Sequence, residues 1–471
     1  MEIYRFRSIH ALLDGFHELE NQEIYFAAPN ELNDPVEGFK DIVWKGDIIV
    51  WTNLLKNYLC CLLHVYATVS VFGEKRKLSK DDIPIINRKF FSPTPSLKQI
   101  HDDAIEAFFN ISVIKDLALA LSERRGPIRR SELIGQLRII HFYALEVVTI
   151  QLLENGLIYE PLIPSPSPLS MDESLQRHGS SAKIENEGDD NLTEELFEFF
   201  HSFISQKDLL NKISYTEAEV ESNKFFLINE YLESFVNKLE DIIFPDWYSA
   251  SFLNDYSNSV VWGHYGDKHT GVCLKFKIEG PEEQKFLNLK YKIDDDDSIE
   301  DIQFFFKKIE YQKKPHEIEF FKSLARMPAI NLKKMWYEDE NGIISDLAKH
   351  LDIKSNEWHE SYWQNFYNCI STKSSEWEYE KEYRLILDGF TKDFHNITET
   401  KLKYDFNSLE GIIFGIKTST SDKIRVVKII RQKCLENNRD SFDFFQAKYS
   451  RISGKIEIEK LDVLSTLKDN L

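Results

Sequence analysis

Basic residues are what this chain is short of. Its 471 residues hold 58 Lys and Arg against 78 Asp and Glu, a formal net charge of -20. A general nucleic-acid binder shows a basic field, which this chain as a whole lacks. An anionic membrane surface is an equally poor partner, because the same charge repels it. Cysteine is scarce as well, with 5 in the chain. So few give no disulfide framework and fit a reducing, cytoplasmic setting. Cys60 and Cys61 are adjacent, which is no zinc spacing, and they read as small buried hydrophobes. No uninterrupted apolar run reaches the length of a membrane span. The best candidate, Leu59 to Phe72, has 14 residues and contains His64. Met1-Glu2-Ile3-Tyr4-Arg5 lacks the basic start and apolar run of a signal peptide. Internal repeats are also missing.

Aromatic residues are plentiful, at 13%, with 34 Phe and 20 Tyr. A chain of this length and composition buries a large core and divides into two or more folding units. Residues 1–45 read as strand, helix, strand and turn, the first part of a β-core. Residues 46–243 read as a mainly helical inserted lobe. In it, Asp103 to Glu123 and Ser131 to Glu154 carry helical periodicity on either side of a Gly126-Pro127 hinge. Within the lobe, residues 161–192 are a flexible linker, with Pro161, Pro164, Pro166 and Pro168 among serines. Residues 244–435 complete the core. Strands are expected at Gly271 to Lys277, Tyr383 to Leu387, Gly411 to Gly415 and Ile424 to Ile430, and helices at 299–326, 331–349 and 356–370. Residues 436–471 read as an exposed tail. The fold class is α+β, with a mixed or split β-core formed from both ends of the chain and a large helical insertion.

Four clusters hold candidate chemistry. Arg5 and Arg7 alternate onto one face of the first strand, where two cations are tolerable if an anion lies between them. Asn30 to Gly38 is a folded polar loop carrying Asn33, Asp34 and Glu37, which either cap one another or touch substrate. Trp262, His264, Tyr265 and His269 stand among glycines just before a strand. The two aromatics suit a platform for a planar ring, and the histidines suit hydrogen bonding or acid-base work better than metal binding. Glu378, Glu380 and Glu382 share a face if extended, with Arg384 beside them to neutralise the pair. The bland alternative for each is a solvated strand, a capped loop or a cross-strand ion pair.

The runs Tyr4-Arg5-Phe6-Arg7-Ser8, Asn33-Asp34-Pro35-Val36-Glu37-Gly38, Trp262-Gly263-His264-Tyr265 and Trp377-Glu378-Tyr379-Glu380-Lys381-Glu382-Tyr383-Arg384 resemble a widespread uncharacterised bacterial family. The likeness covers residues 1–45 and 245–435. It departs at Tyr248 to Phe252, where such proteins carry Cys-Phe-Ser, and in the long helical stretch between. A looser similarity is to the arginine-serine-glutamate class of ADP-ribosyltransferases. That resemblance implies NAD as co-substrate. It gives Arg5 or Arg7 the NAD phosphates and Ser249 or Ser251 the nicotinamide ribose. Glu382 would stabilise the ribosyl cation and Glu380 would orient the acceptor. It also implies a role as a toxin or in antiviral defence. Expected partners are a small nucleotide and a protein partner or target reached through the helical lobe. Two other readings stay open. One is a metal-dependent phosphodiester or nucleotide hydrolase using Asp34, Glu37, Glu380 and Glu382. The other is a non-catalytic nucleotide sensor.

Overall fold

A computed structural model describes residues 2–34, 37–85, 94–163, 190–214, 216, 222–282, 284–292, 299–312, 316–324, 329–348, 356–389 and 399–465. The chain divides into two compact units. One comprises Met1–Phe39, Pro245–Pro315 and Tyr367–Leu471, and the other Lys40–Phe244 and His316–Phe366.

The first unit is built on an eight-stranded sheet drawn from both ends of the chain. Its order runs Ile456–Lys460, Asp443–Tyr449, Leu409–Phe414, Val272–Lys277, Glu2–Arg7, Trp247–Leu253, Glu382–Asp388 and Lys307–Lys308. All neighbours are antiparallel except Leu409–Phe414 with Asp443–Tyr449. A parallel pair needs a crossover, and the helix Thr420–Glu436 supplies it. Ile3, Phe252, Leu274, Leu385 and Ile412 fill the core on one face. Tyr4, Phe6, Trp262, Cys273 and Ile413 fill it on the other. A four-stranded sheet joins Glu23–Tyr25, Lys401–Tyr404, Phe286–Lys292 and Ile299–Phe305.

Three features of this unit correct the sequence reading. The described residues of 299–326 do not form the expected helix. Ile299–Phe305 forms a hairpin with Phe286–Lys292, and Ile302, Phe304 and Phe306 alternate with exposed neighbours at the period of a strand. Ile424 to Ile430 is not a strand but part of the crossover helix. Its β-branched residues read as strand by propensity, yet Val426, Ile430 and Cys434 are buried at helical spacing, and the Ser419 side chain caps the helix through Asp422 N. Residues 436–471 are no tail over their described part. Phe442 and Phe444 are buried, and two strands extend the sheet.

The second unit is mainly helical. Ile48–Phe72 and Arg130–Glu154 are its longest apolar helices, with Pro95–Asn110, Ser112–Glu123, Asp190–Ser214 and Tyr231–Asp241. Asp103 to Glu123 is thus two helices parted at Ile111, whose backbone is extended. By length and composition Ile48–Lys75 and Arg130–Glu154 could each cross a membrane, but 67% and 56% of their most apolar windows are buried inside the protein. A short sheet sets Glu317–Glu319 beside Asp41–Trp44 and Ile128–Arg129. Residues 316–366 therefore belong with the helices rather than with the β-core. Phe320 packs on both Trp44 and Trp336 to hold them there. Most of the expected 161–192 linker and the acidic run Asp294 to Asp297 lie outside the described residues.

Candidate functional site

The site lies in the first unit, where two central strands part. Glu2–Arg7 and Trp247–Leu253 pair at Tyr4 and Leu253 alone, after which Ala27 takes over as the partner of Ser249. Arg5 reaches into the opening. Its Nη1 donates to Ser251 O at 3.3 Å and its Nη2 to Tyr25 O at 2.8 Å, carbonyls left over where the ladder ends. The guanidinium lies over the Phe252 ring, and Nε has no partner. Among the described residues no carboxylate hydrogen-bonds Arg5, although Glu18 is near enough to act on it. Burial, with Arg7 adding to it, outweighs Glu18 and pulls its pKa down to about 9. Arg7 differs. Its Nε donates to Glu18 Oε2 at 2.7 Å and its Nη2 to Glu18 Oε1, so it is neutralised within the protein.

The opposite wall is a buried charge cluster. Arg384 is 1% exposed and grips Glu382 with Nε to Oε1 at 2.7 Å and Nη2 to Oε2 at 3.0 Å. Nη2 also bonds Glu37, and Nη1 donates to Ile370 O at 3.1 Å. Lys373 Nζ stands among three carboxylates, 3.0 Å from Glu37, 2.8 Å from Glu380 and 3.4 Å from Glu382. Its ammonium lies over the Trp377 ring at 4.6 Å. Tyr265 donates its hydroxyl to the other oxygen of Glu380 at 2.6 Å. Three carboxylates thus share two cations, an excess of one negative charge when all are ionised.

The two glutamates differ electrostatically. For Glu382, burial acts to raise the pKa, but Arg384, Lys373 and the Ser251 hydroxyl outweigh it and hold the group at about 2. For Glu380, burial is not overcome by Lys373 and Tyr265, and its pKa stays raised. Burial also pushes the Tyr265 phenol up. Lys373 is raised against its own burial by Glu382 and Glu37.

Local structure explains how the residues meet. Glu380 ends the 3-10 helix Ser375–Glu380, Lys381 turns left-handed at φ 50°, and Glu382 opens the strand. The segment is therefore not extended throughout. Glu378 is exposed and does not join the cluster. Cross-strand register sets Arg384 opposite Ser251 and Glu382 opposite Leu253. Glu37 arrives on the loop after the 3-10 turn Pro29–Glu31, where Glu37 N bonds Asp34 O at 3.0 Å. Gly38 then leaves at φ 72°, with no room for a Cβ against Trp247. Asp34 is buried, and Asn33 is exposed and lines the cleft.

The cleft has a volume of about 190 Å³, and its walls include Arg5, Ser249, Ser251, Tyr265, Lys373 and Glu380. Ser249 is 1% exposed, and its hydroxyl has no partner. Arg5, Arg7, Ser249, Ser251, Tyr265, Glu37, Asn33, Glu380 and Glu382 therefore gather around one opening. Trp262, His264 and His269 do not. Trp262 is fully buried, donates to Tyr256 O at 2.8 Å and packs against Phe6, so it is core rather than an open platform. His264 is exposed, beside Tyr379 and Trp377. His269 stacks on Trp262 in a turn of positive φ that packs close to the first strand, where a Cβ on Gly271 would strike Arg7 O. Among the described residues, no group of three or more His, Cys, Asp or Glu is arranged to hold a metal ion.

Sequence reasoning missed Lys373, Glu18 and Tyr311, whose hydroxyl accepts from Glu382 N at 2.8 Å. Lys373 sits in a Ser-Thr-Lys-Ser-Ser run with no charge pattern, so only the excess of acids at 378–382 could have hinted that a cation was needed.

No curated protein and no solved structure matches the chain. Residues 261–385 match a family described as "Protein of unknown function (DUF2971)". The matched segment contains Tyr265, Lys373, Glu380, Glu382 and Arg384, while Arg5 and Glu37 lie outside it.

Proposed function

We propose that the protein cleaves NAD at the nicotinamide-ribose bond, passing ADP-ribose to an acceptor or to water. The observation that carries this reading is the pairing of opposite demands in one cleft. Arg5 is a buried cation with no hydrogen-bonded carboxylate among the described residues, and the nearby Glu18 is shared with Arg7, so the pair carries one positive charge in excess and suits an anion such as a phosphate. The cluster of three carboxylates and two cations, with one negative charge in excess, favours a cationic centre. The nicotinamide-ribose half of NAD offers both, a phosphate and a ribosyl carbon that becomes cationic as nicotinamide leaves. At about 190 Å³ the cleft is smaller than the roughly 300–1,000 Å³ typical of ligand pockets, which suits half of a dinucleotide.

In the proposed step the C1′–N bond breaks and both electrons stay with nicotinamide, which departs neutral. Glu382, held ionised by Arg384, faces the developing positive charge. A hydroxyl, amine or water then bonds to C1′ and gives its proton to Glu380, whose raised pKa suits a base better than that of Glu382. On this reading Ser249, whose buried hydroxyl lacks a partner in the cleft wall, would turn to bond the ribose. The hydrolase reading has less support, because Lys373 and Arg384 already occupy the carboxylates a metal would need.

Incubation with NAD, followed by chromatography of nicotinamide and by labelled transfer to candidate protein acceptors, tests the reading. Glu380→Gln and Arg5→Lys should each lower release by about 100-fold or more while melting close to wild type. No release by the wild-type protein with any acceptor, or equal rates in both variants, overturns it. Calorimetric binding of NAD without turnover would move the site to a sensor.

A further inference from the structure

A second cavity in the β-unit lies apart from the candidate site. It has a volume of about 740 Å³ and shares no lining residue with the cleft of Arg5 and Glu382. That volume falls within the roughly 300–1,000 Å³ of ordinary ligand pockets. The cavity forms where the hairpin of Phe286–Lys292 and Ile299–Phe305 runs on into the edge strand Lys307–Lys308. Tyr383 joins its wall. This residue alternates with Glu382 and Arg384 along the strand, so it faces away from them and packs on the core of Ile3 and Phe252. Rings make up most of the wall that remains accessible. Phe304, Phe306, Tyr367 and Tyr383 are half-buried there, and Phe305 is exposed.

Charge narrows the occupant. Lys285, Lys307 and Lys308 line the cavity against one described acid, Glu282, a local reversal of sign in a chain of net charge -20. Lys285 Nζ donates to Gly280 O at 2.7 Å, and Lys307 Nζ lies 4.9 Å from the centre of the Tyr367 ring. Neither contact neutralises an ammonium, and among the described residues none of the three lysines is in an ion pair. Lysines on an edge strand also keep it from pairing with other chains. That role accounts for Lys307 and Lys308, but not for Lys285, which stands before a different strand, nor for the rings between them. We propose that this cavity binds a small planar aromatic anion of the class of a nucleoside monophosphate. The rings take the base by stacking or edge contact, and the lysines take the phosphate. The site is separate from the cleft, and the proposal stands whether or not the cleft cleaves NAD.

Isothermal titration of the full chain at low salt tests the proposal, with AMP, adenosine and ribose 5-phosphate as probes. AMP should bind. Adenosine lacks the phosphate and ribose 5-phosphate lacks the ring, so each should bind about ten-fold more weakly or worse. Lys307→Glu and Lys285→Glu should each weaken AMP by about five-fold or more, with an unchanged circular-dichroism spectrum. Arg5→Lys separates the two sites, and it should leave the affinity for AMP within about two-fold of wild type. The comparison of the three probes on the wild-type chain needs no variant to fold. Failure of AMP to bind overturns the proposal. So does ribose 5-phosphate or octanoate binding as tightly as AMP, which would leave the rings without a role in choosing the ligand. AMP binding that is lost in Arg5→Lys and kept in both lysine variants would give the nucleotide to the cleft and overturn it as well.

Discussion

The two units each bury a polar cluster, and they do so in opposite ways. In the helical unit, His141 lies between Tyr58, 2.5 Å from Nδ1, and Leu227 O, 2.9 Å from Nε2, with Tyr231 stacked alongside. Burial lowers the pKa of His141 to about 4, so it stays neutral, and each ring nitrogen has one partner. Asn53 and Asn57 nearby spend their amides on backbone carbonyls. That cluster is neutral and contains its own partners. In the β-unit the buried groups are ions, they are unequal in number, and they border a cleft lined also by Arg5 and Ser249, whose buried Nε and Oγ have no hydrogen-bond partner. A neutral network serves the fold and closes on itself. An unbalanced ionic one costs desolvation that packing alone does not require, which is why it marks the candidate site.

The sharpest way to break this comparison is Arg384→Ala. It leaves Glu382 and Glu37 without their main cation in a site 1% exposed, so the loss of stability should reach about 3–5 kcal/mol. Arg384→Lys should recover only part, because an ammonium cannot bridge both oxygens of Glu382 as the guanidinium does. A melt of Arg384→Ala within about 1 kcal/mol of wild type would make the cluster a surface-like ion pair.

A pH series sharpens the contrast at somewhat smaller scale. His141 has a folded pKa depressed from its ordinary 6.5 to about 4, so protonation favours the unfolded chain. Its contribution is complete above about pH 6.5 and is lost as the pH falls towards 4, a swing of about 3 kcal/mol. Glu382 is depressed from 4.5 to about 2, so its contribution is complete above about pH 4.5 and lost below that. Stability measured from pH 7.5 to 3 should therefore fall in two windows, the upper one weakened in His141→Gln, where His64 and His269 with their lowered pKa values still contribute, and the lower one weakened in Glu382→Gln. A single window removed by neither variant would contradict both assignments. The smallest effect belongs to His264→Ala. This exposed side chain should change stability by no more than about 0.5 kcal/mol, and nicotinamide release should not respond to it at all. A marked loss of release would bring His264 into the site after all.

The α+β class and the joining of both chain ends in one core were legible because Ile3 to Phe6, Val272 to Phe276 and Leu385 to Leu387 are strongly strand-forming and too far apart to be one hairpin. Glu382 and Arg384 were legible as a pair because alternation at a spacing of two puts them on one face, and the bond between them is bidentate. Other features were hidden for specific reasons. Lys381 reverses the backbone between the two glutamates, which no propensity announces at a lysine. Lys373 and Glu18 matter only through contacts made in three dimensions. The strand Asp443–Tyr449 was missed because its surroundings are charged, although Phe442 and Phe444 are the residues that anchor it. Trp262 shows the converse error, since an aromatic beside glycines reads alike whether it faces a ligand or a core.

The position of Glu2–Arg7 between Val272–Lys277 and Trp247–Leu253 has a consequence for how the chain is made. On the ribosome this strand is synthesised before both of its neighbours, which follow some 240 residues later. At about 5–20 residues per second it waits on the order of tens of seconds with its edges unpaired. Most of the helical unit emerges during that interval and has time to close on its own local contacts. Arg5 and Arg7 put two positive charges on the waiting segment, which discourages it from pairing with a copy of itself on a neighbouring ribosome. The same arginines that frame the cleft in the finished protein would thus guard the nascent chain before any cleft exists.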